Sequence, residues 1–585
     1  MPVSLSKTPE SSMFKCPGCG AEHSKANLEH RQYICPGCQR LLPMPWQARI
    51  AMLADAGSFQ ELDRKMVSID PLHFTDLKSY RDRLTEARRE TGAREAVTTG
   101  LCLMGGQRIV LVVFDFRFLG GTMGSVVGEK IANAFEEAVK RRIPLVSVSA
   151  SGGARVQEGM FSLMQMAKVA AAASRHDQAG LAFLSILTDP TFGGVMASFA
   201  SLGDVVIAEP GAQIGFVGPR VIEQTTGVPP PKDTHRAETL LRAGLIDLVV
   251  NRQDLAAVVT YLVTHLKRRK ALASGEEKLP RTPKLRRLPA WQQVGLARHS
   301  GRPSGRFYIA SLTSHFLELH GDRWRGDDPA IIAGLGEVDG ETFIVVAHER
   351  GTTPAEREAS HGGMAFPEGY RKALRVMQLG AKFGIPVVTL IDCPNAQASY
   401  ESELHGIANA LARNLAEMSR LPTPIVAAII GEGGSGGALA LGVADRVLML
   451  EHAIYSVISP EGAAAILYRD AAHAEAVSEV LKLTAHDLHR LGIIDVVVPE
   501  PDGGAHLDPE RMAAALKKHI LSALREIRDT PVRRLVANRY RKFRDIGRGG
   551  IYWRELIRGH LRDAAGALGR LLPSKEKSKK QRRAG

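Results

Sequence analysis

The chain contains itself twice, and that repetition limits its fold more than any single motif. The run "IPLVSVSASGGAR" begins at Ile143 and "IPVVTLIDCPNAQ" at Ile385. Residues 193–219, "GGVMASFASLGDVVIAEPGAQIGFVGP", parallel residues 436–460, "GGALALGVADRVLMLEHAIYSVISP", with two residues fewer in the helix. Asp204 aligns with Asp445 and Pro219 with Pro460, 241 apart, while the two Ile-Pro runs are 242 apart. Two blocks at nearly one offset mean two copies of one fold. Each copy alternates short β-branched runs ("RIVLVVFDF", "DVVIAEP"; "TFIVVAHE", "DRVLMLE") with small-residue helices, the pattern of parallel crossover units. At 585 residues, two α/β domains with appendages are expected.

The appendages separate by composition. Residues 14–45 hold four of the six cysteines: Cys16 and Cys19 in one C-P-G-C knuckle, Cys35 and Cys38 in another, with fifteen residues between. Four soft ligands at this spacing suit a closed, tetrahedral structural zinc site. Disulfides belong to an oxidising compartment. The polar N-terminus and the absence of an apolar run of about eighteen residues predict a cytoplasmic protein with no membrane span. His23 and His30 read as bystanders, since four thiolates fill the shell. Domains of residues 46–266 and 307–530 are joined by a Lys/Arg/Pro-rich linker, 267–306, with a short helix near Trp291. The net charge of +14 lies almost wholly in a tail, 531–585, with 17 basic and 4 acidic residues against 59 and 58 elsewhere. Such a tail reads as solvated.

The most conspicuous stretch is "IIGEGGSGGALALGVADRV", residues 429–447. Gly431, Gly433 and Gly436, with Glu451 twenty residues on, mimic a dinucleotide fingerprint. The first copy keeps only Gly193-Gly194 there, and a Walker loop fails because Gly437 stands where lysine is required. What the copies share is a Gly-Gly pair after a strand, opening a helix. The first copy adds Gly152-Gly153 in "SASGGARVQEG". Uncovered backbone N–H groups at a helix start are the elements of an oxyanion hole. No Ser/His/Asp set or carboxylate pair competes with this reading.

These residues carry a family resemblance. Residues 14–250 resemble the beta subunit of bacterial acetyl-CoA carboxylase carboxyltransferase, through "DPLHFTDLKSYRDRL", "MGSVVGEKI", "SASGGARVQEG", "SLMQMAKVAAA" and "PRVIEQT". Residues 290–507 resemble the alpha subunit, through "FLELHGDR", "DDPAIIAGL", "PEGYRKALRVM", "GEGGSGGALALGVADRVLML" and "AIYSVISPEG". The resemblance implies an α/β fold of two tandem crotonase-like (ClpP/crotonase spiral) domains behind the zinc ribbon. It implies transfer of a carboxyl group from carboxybiotin, borne on a separate biotin carboxyl carrier protein charged by biotin carboxylase, to acetyl-CoA, giving malonyl-CoA for fatty acid biosynthesis. It further implies a CoA side in the first half, a biotin side in the second, and a homodimer or higher oligomer. Carried over by position, the N–H groups of Gly152 and Gly153 would hold the thioester enolate, and those of Gly437 and Ala438 the ureido oxygen of biotin. Gly193, Gly194, Gly436, Arg155 and Arg350 would line the substrates, Arg155 chiefly as support.

Departures from the family accumulate on the biotin side. Cys393, Pro394, Asn395, Ala396, Gln397, Ala398 and Ser399 replace a loop that normally carries two glycines and a tyrosine, Arg350 replaces a lysine, and Phe192 a threonine. They leave two further readings: a paralogue acting on another acyl-CoA or as a malonyl-CoA decarboxylase, and, from another class, a nucleic-acid-binding protein using ribbon and tail. The latter predicts steep salt dependence.

Overall fold

The structure, a computed structural model, describes residues 13–267 and 288–546 together with Ile557, His560, Leu561 and Ala564. The chain divides into two compact units, one ending at Lys270 and one beginning at Ala271. Two short stretches, Leu319–Asp328 and Lys382–Gly384, group with the first.

In the first unit seven strands lie side by side in chain order: Gln60–Leu62, Val97–Met104, Gln107–Phe114, Leu145–Ser151, Phe183–Thr191, Val205–Ala208 and Leu248–Val249. The first two pairings are antiparallel and the remaining four parallel. The second unit repeats this order with His315–Glu318, Ile331–Val338, Glu341–His348, Val387–Cys393, Ile425–Gly434, Arg446–Leu450 and Val496–Val498, again two antiparallel pairings and four parallel. Ile454–Ser456 adds to the far end of Ile425–Gly434. The central strands are buried throughout, as expected where helices cover both faces of a parallel sheet.

The duplication extends to irregularities. Parallel register slips between Ser149 and Ser151 in one copy and between Ile391 and Cys393 in the other, where the strand bends toward the glycine turns. The carboxylates of Asp204 and Asp445 each accept the N–H that opens the neighbouring strand, from Phe183 and Ile425, both at 2.8 Å. Before the seventeen-residue helices Ser125–Arg141 and Pro367–Phe383, matched 3-10 turns Leu119–Gly121 and His361–Gly363 run through left-handed backbone. A Cβ on Gly121 would fall on the carbonyl oxygen of Ala150, and one on Gly363 would lie 2.7 Å from that of Asp392.

The ribbon is a hairpin, Met13–Lys15 and Glu22–Ser24, and a helix, Lys25–His30, capped by Ser24. Leu28, Tyr33, Leu42 and Met44 form its core with Cys16 and Cys35. Arg252 clamps it to the sheet. One guanidinium nitrogen donates to the ribbon carbonyls of Gln32, Tyr33 and Leu42 (3.0, 3.2 and 3.1 Å), while the other two grip Glu209 at 2.8 and 2.6 Å. Arg49 adds a third contact to Glu209 at 2.6 Å.

Two sequence expectations are corrected. The part of the 267–306 linker that is described, residues 288–306, belongs to the second unit; residues 268–287 lie outside the described residues. Helix Ala290–Ala297 buries Val294 and Ala297 against Ile454 and Leu483. Arg302 drives its guanidinium into Glu500 (2.5 and 3.0 Å) and the Ile430 carbonyl (2.6 Å). The basic tail begins folded: helix Val532–Arg544 inserts Arg539, 1% exposed, between both oxygens of Asp445 and the carbonyls of Met418, Leu421 and Thr423. The rest of the tail, from 547, lies outside the described residues but for the four positions named above. In both segments a basic composition conceals arginines that anchor buried carboxylates.

Burial alone would raise the Glu209 carboxyl, but Arg49 and Arg252 hold it down at about 2. A depressed carboxylate contributes stability that is complete above its unfolded pKa near 4.3 and is lost as pH falls toward 2. Arg252→Met, which strands Glu209 and three carbonyls, is expected to cost about 3–5 kcal/mol in urea unfolding at pH 7. The difference from wild type should shrink as the pH is lowered through 4 to 2.

Candidate functional site

The two glycine pairs of the first half meet. Gly153 lies against Gly193 so closely that a Cβ on Gly193 would sit 3.0 Å from the Gly153 α-carbon, and one on Gly153 would sit 3.3 Å from that of Gly193. Both have positive φ, +113° and +60°. The strand extensions lock this contact: Phe192 N–H donates to Ser151 O at 2.8 Å, and Met123 N–H to Gly153 O at 2.8 Å.

Which N–H groups remain available differs from expectation. The Gly152 N–H donates to Gly120 O (2.9 Å) and the Gly153 N–H to Ser151 Oγ (3.0 Å), so neither is an open donor. The Gly193 N–H is shared between the carbonyls of Gly215 (3.2 Å) and Phe216 (3.0 Å). The N–H groups without a hydrogen bond among the described residues are those of Ala154 and Gly194, one from each side of the glycine contact. Gly152 and Gly153 thus permit the close approach, and the Ala154 N–H is left open beside it.

The second half has the same construction. Ala396 is to the second Ile-Pro run what Ala154 is to the first, and the Gln397 N–H pairs with Ala365 O as the Arg155 N–H pairs with Met123 O. The N–H groups of Ala396 and Gly437 make no hydrogen bond among the described residues. A Cβ on Gly437 would lie 2.5 Å from Ala396 N, 2.8 Å from the Tyr370 hydroxyl and 2.9 Å from the Asn395 carbonyl carbon. Gly436, beside it, is half-buried. The altered loop fits this arrangement because none of residues 394–399 has a positive φ, so the family's glycines are not needed for its path.

Arg155, expected chiefly as support, is a buried anchor. It is fully buried, donating to Glu95 (2.7 Å), the Thr122 carbonyl (2.7 Å), Tyr80 (3.1 Å) and Ser68 (3.2 Å). Burial would raise the Glu95 carboxyl, but the Arg155 guanidinium brings it below the usual carboxylate range. Glu158, beside Arg155, accepts from the Tyr80 hydroxyl (2.6 Å) and the Ser125 N–H (2.6 Å), tying the turn to the helix Ser125–Arg141. Arg350 stays partly exposed. It faces Asp392 (3.2 Å) and Glu432 (3.6 Å) on the wall of an 80 Å³ polar cavity that also takes in Arg298, Arg357 and Gly362. Asp392 first, then Glu432, raise the Arg350 pKa. Sequence reasoning missed Ala154, Ala396, Asp392, Glu432 and Tyr370. The Ile-Pro alignment already paired the two alanines.

The four cysteines converge. Cys16 Sγ lies 3.7 Å from Cys38 Sγ and Cys19 Sγ 3.7 Å from Cys35 Sγ, with all four within 4.8 Å of one another. Tetrahedral Zn–S bonds of about 2.3 Å require sulfurs about 3.8 Å apart, so the set fits the ion. N–H groups of Cys19 and Gly18 pull Cys16 down to about 6. Cys38 accepts from Arg40 N–H, yet burial and the neighbouring sulfurs push it up to about 12. A dication is what lets all four become thiolates. His23 Nε2 lies 3.3 Å from Cys35 Sγ, beside the shell and outside it.

Among the described residues no helix is long and apolar enough to cross a membrane. Comparison with known proteins places the whole arrangement. A family model described as acetyl co-enzyme A carboxylase carboxyltransferase-like matches residues 260–547. The acetyl-coenzyme A carboxylase carboxyl transferase subunits beta/alpha of Salinispora tropica is 46% identical, covering 92% of this chain and 96% of its own. That of Clostridium tetani is 41% identical, covering 92% and 94%. A solved transcarboxylase 12S, a hexamer with hydrolyzed methylmalonyl-coenzyme A bound, superposes with a TM-score of 0.67 at 21% identity, covering 86% of this chain and 92% of that one. The fold is that of two crotonase-like domains, and the relatives make this a biotin-dependent carboxyltransferase. The chain belongs to the acetyl-CoA carboxylase carboxyltransferase family, in the form that joins beta and alpha regions.

The two holes predict unequal tolerance. Gly437→Ala puts a methyl into backbone and hydroxyl atoms closer than 3.0 Å, whereas Gly194→Ala meets only the flexible Met166 side chain (3.3 Å) and the Ala154 methyl (3.6 Å). Carboxyl transfer should fall about 100-fold or more in the first variant and less than about 10-fold in the second, measured as kcat/KM.

Proposed function

We propose that the chain is the carboxyltransferase component of an acetyl-CoA carboxylase, moving a carboxyl group from carboxybiotin on a separate carrier protein to acetyl-CoA to give malonyl-CoA. The observation that carries this reading is one hole built twice, once in each repeat, from backbone N–H groups with no protein acceptor. A reaction between two carbonyl-bearing partners needs a site for each developing oxyanion. In the first half the Ala154 and Gly194 N–H groups receive the thioester oxygen as the acetyl methyl loses its proton. In the second, the Gly437 and Ala396 N–H groups, with Ala438 next in line, receive the ureido oxygen. Carboxybiotin supplies the carboxyl group and, once it has left, a ring nitrogen basic enough to take the methyl proton. The chain itself needs no side-chain nucleophile: it positions the partners and stabilises charge.

Arg350, neutralised by Asp392 and Glu432, supports the second hole and lines the approach to it. The ribbon carries one structural zinc ion. The site is completed where the first half of one copy faces the second half of another, so the working form is at least a homodimer, acting in the cytoplasm with a biotin carboxyl carrier protein and a biotin carboxylase.

The test runs the reaction backward with purified full-length protein, following acetyl-CoA formed from malonyl-CoA and free biotin. Biotin-dependent turnover supports the reading. A folded, zinc-loaded dimer that releases acetyl-CoA at the same rate without biotin is a decarboxylase, and one inactive on malonyl-CoA but active on a longer malonyl thioester acts on another acyl-CoA. Elemental analysis should find one zinc per chain, and a Cys16→Ser/Cys35→Ser variant should lose it.

A further inference from the structure

A cavity of 530 Å³ runs along the seam between the ribbon and the first sheet. The ribbon supplies one wall, through Gly18 of the first knuckle and Arg40 and Leu41 after the second. The connections of the sheet supply the other, through Asp189 near the end of strand Phe183–Thr191 and through Gln213, Arg236 and Gln253. Neither open amide of the first hole, that of Ala154 or of Gly194, lines it.

Its cations outnumber their partners. Arg252, which also reaches this seam, is spent on Glu209 and the ribbon carbonyls. Arg40 and Arg236 form no ion pair among the described residues. The Arg40 stem lies over Gly18, where a Cβ would sit 3.0 Å from its Cδ, and its guanidinium makes no hydrogen bond among the described residues. Arg236 gives one N–H to Gly211 O at 2.7 Å, and its other N–H groups have no acceptor among the described residues. Asp189, the one carboxylate on the wall, accepts the Gln213 N–H at 3.0 Å.

Two unpaired guanidiniums facing one cavity repel each other until an anion joins them. Their planar forks fit phosphate oxygens two at a time. The volume is that of a small-ligand cleft, about 300–1,000 Å³, and well beyond what one phosphate group fills. The remaining lining suits a nucleoside. The side-chain amides of Gln213, Asn251 and Gln253 make no hydrogen bond among the described residues, and each offers donors and an acceptor. Ile34, Leu41 and Pro210 add apolar surface for a ring. The sheet-side wall is fixed in advance: Thr191 N–H donates to Gln213 O at 2.8 Å, Ile214 N–H to His235 O at 2.8 Å and Ala237 N–H to Ala212 O at 3.0 Å. These bonds stitch the segment carrying Gln213 between the strand end and the segment carrying Arg236, so binding needs little reordering.

We propose that the seam is a binding site for a nucleoside diphosphate, with Arg40 and Arg236 on its phosphates and the amides of Gln213, Asn251 and Gln253 on its base and sugar. The site is apart from the two holes and takes a ligand that is neither substrate nor product of carboxyl transfer. Because one wall is ribbon and the other sheet, the bound ligand ties the two together beyond the clamp that Arg252 makes.

The test titrates full-length, zinc-loaded protein with ADP by calorimetry, without added magnesium, beside pyrophosphate and adenosine. ADP should bind at one site per chain and at least about tenfold more tightly than either fragment. Arg40→Met should weaken ADP at least about tenfold at unchanged zinc content, since it removes charge-assisted hydrogen bonds to the ligand and no bond within the fold. Gln253→Leu, on the opposite wall, should weaken ADP about threefold or more and leave pyrophosphate unchanged. Saturating coenzyme A should leave the ADP affinity within about twofold. No binding of ADP would overturn the proposal, as would an ADP affinity that either substitution leaves unchanged or that either fragment matches. Displacement of ADP by coenzyme A would overturn it too, by making the seam part of the thioester's own site.

Discussion

Everything at the site depends on one constraint, the crossing of a bent strand over the glycine turn of its neighbour. In each half a parallel strand slips register two residues before its end, and its continuation runs across the start of the next short helix. That crossing leaves no room for side chains at Gly153 and Gly193, or at Gly434 and Gly437, where a Cβ on Gly434 would coincide with the carbonyl oxygen of Pro394. The same crossing brings an N–H from the loop beside an N–H from the helix start. The glycines are therefore chiefly the condition for close approach, and the donors are whichever amides the ladders leave over. Because those amides belong to the backbone, they are held as rigidly as the sheet that carries them.

Around this frame the chain fixes its loops with arginines driven inward. Arg155 braces the turn after strand Leu145–Ser151, Arg302 the segment leading into the second sheet, Arg252 the ribbon, and Arg539 the C-terminal helix. In each case a planar fork meets a buried carboxylate, and in each case main-chain carbonyls take further N–H groups, which offsets the cost of desolvating the charge. These pairs cost too much if half-made, so they specify one position for each appended segment.

The repeat, the ribbon and the crotonase class were legible because they are written as spacing: an offset of 241 or 242, two C-P-G-C knuckles, glycine pairs after β-branched runs. The position of the glycine contacts was legible for the same reason. The identity of the donors was not, because whether the Gly152 N–H is open depends on a carbonyl from Gly120, and whether the Gly153 N–H is open depends on the hydroxyl of Ser151. Neither pairing has a signature in residue types. The segment around Arg302 and the helix bearing Arg539 were misjudged for one common reason: a basic residue reads alike in sequence whether it faces water or a buried carboxylate, and only the fold supplies the partner.

Main-chain contact also explains how the loop at 394–399 could diverge. Of residues 394–399, Asn395 and Ala398 point to solvent, and the path of the segment is set by contact between its main chain and Gly434 and Gly437. Substituting its side chains leaves the Ala396 N–H where it was, provided position 396 stays small enough to be buried against the turn and the backbone keeps negative φ. Proline at 394 meets that condition and narrows the unfolded ensemble as well. The residues that cannot drift are on the other side of the contact, in the glycine turn and in the helix behind it. That is where this chain keeps "GEGGSGGALALG" and "PEGYRKALRVM" intact while the loop between them changes.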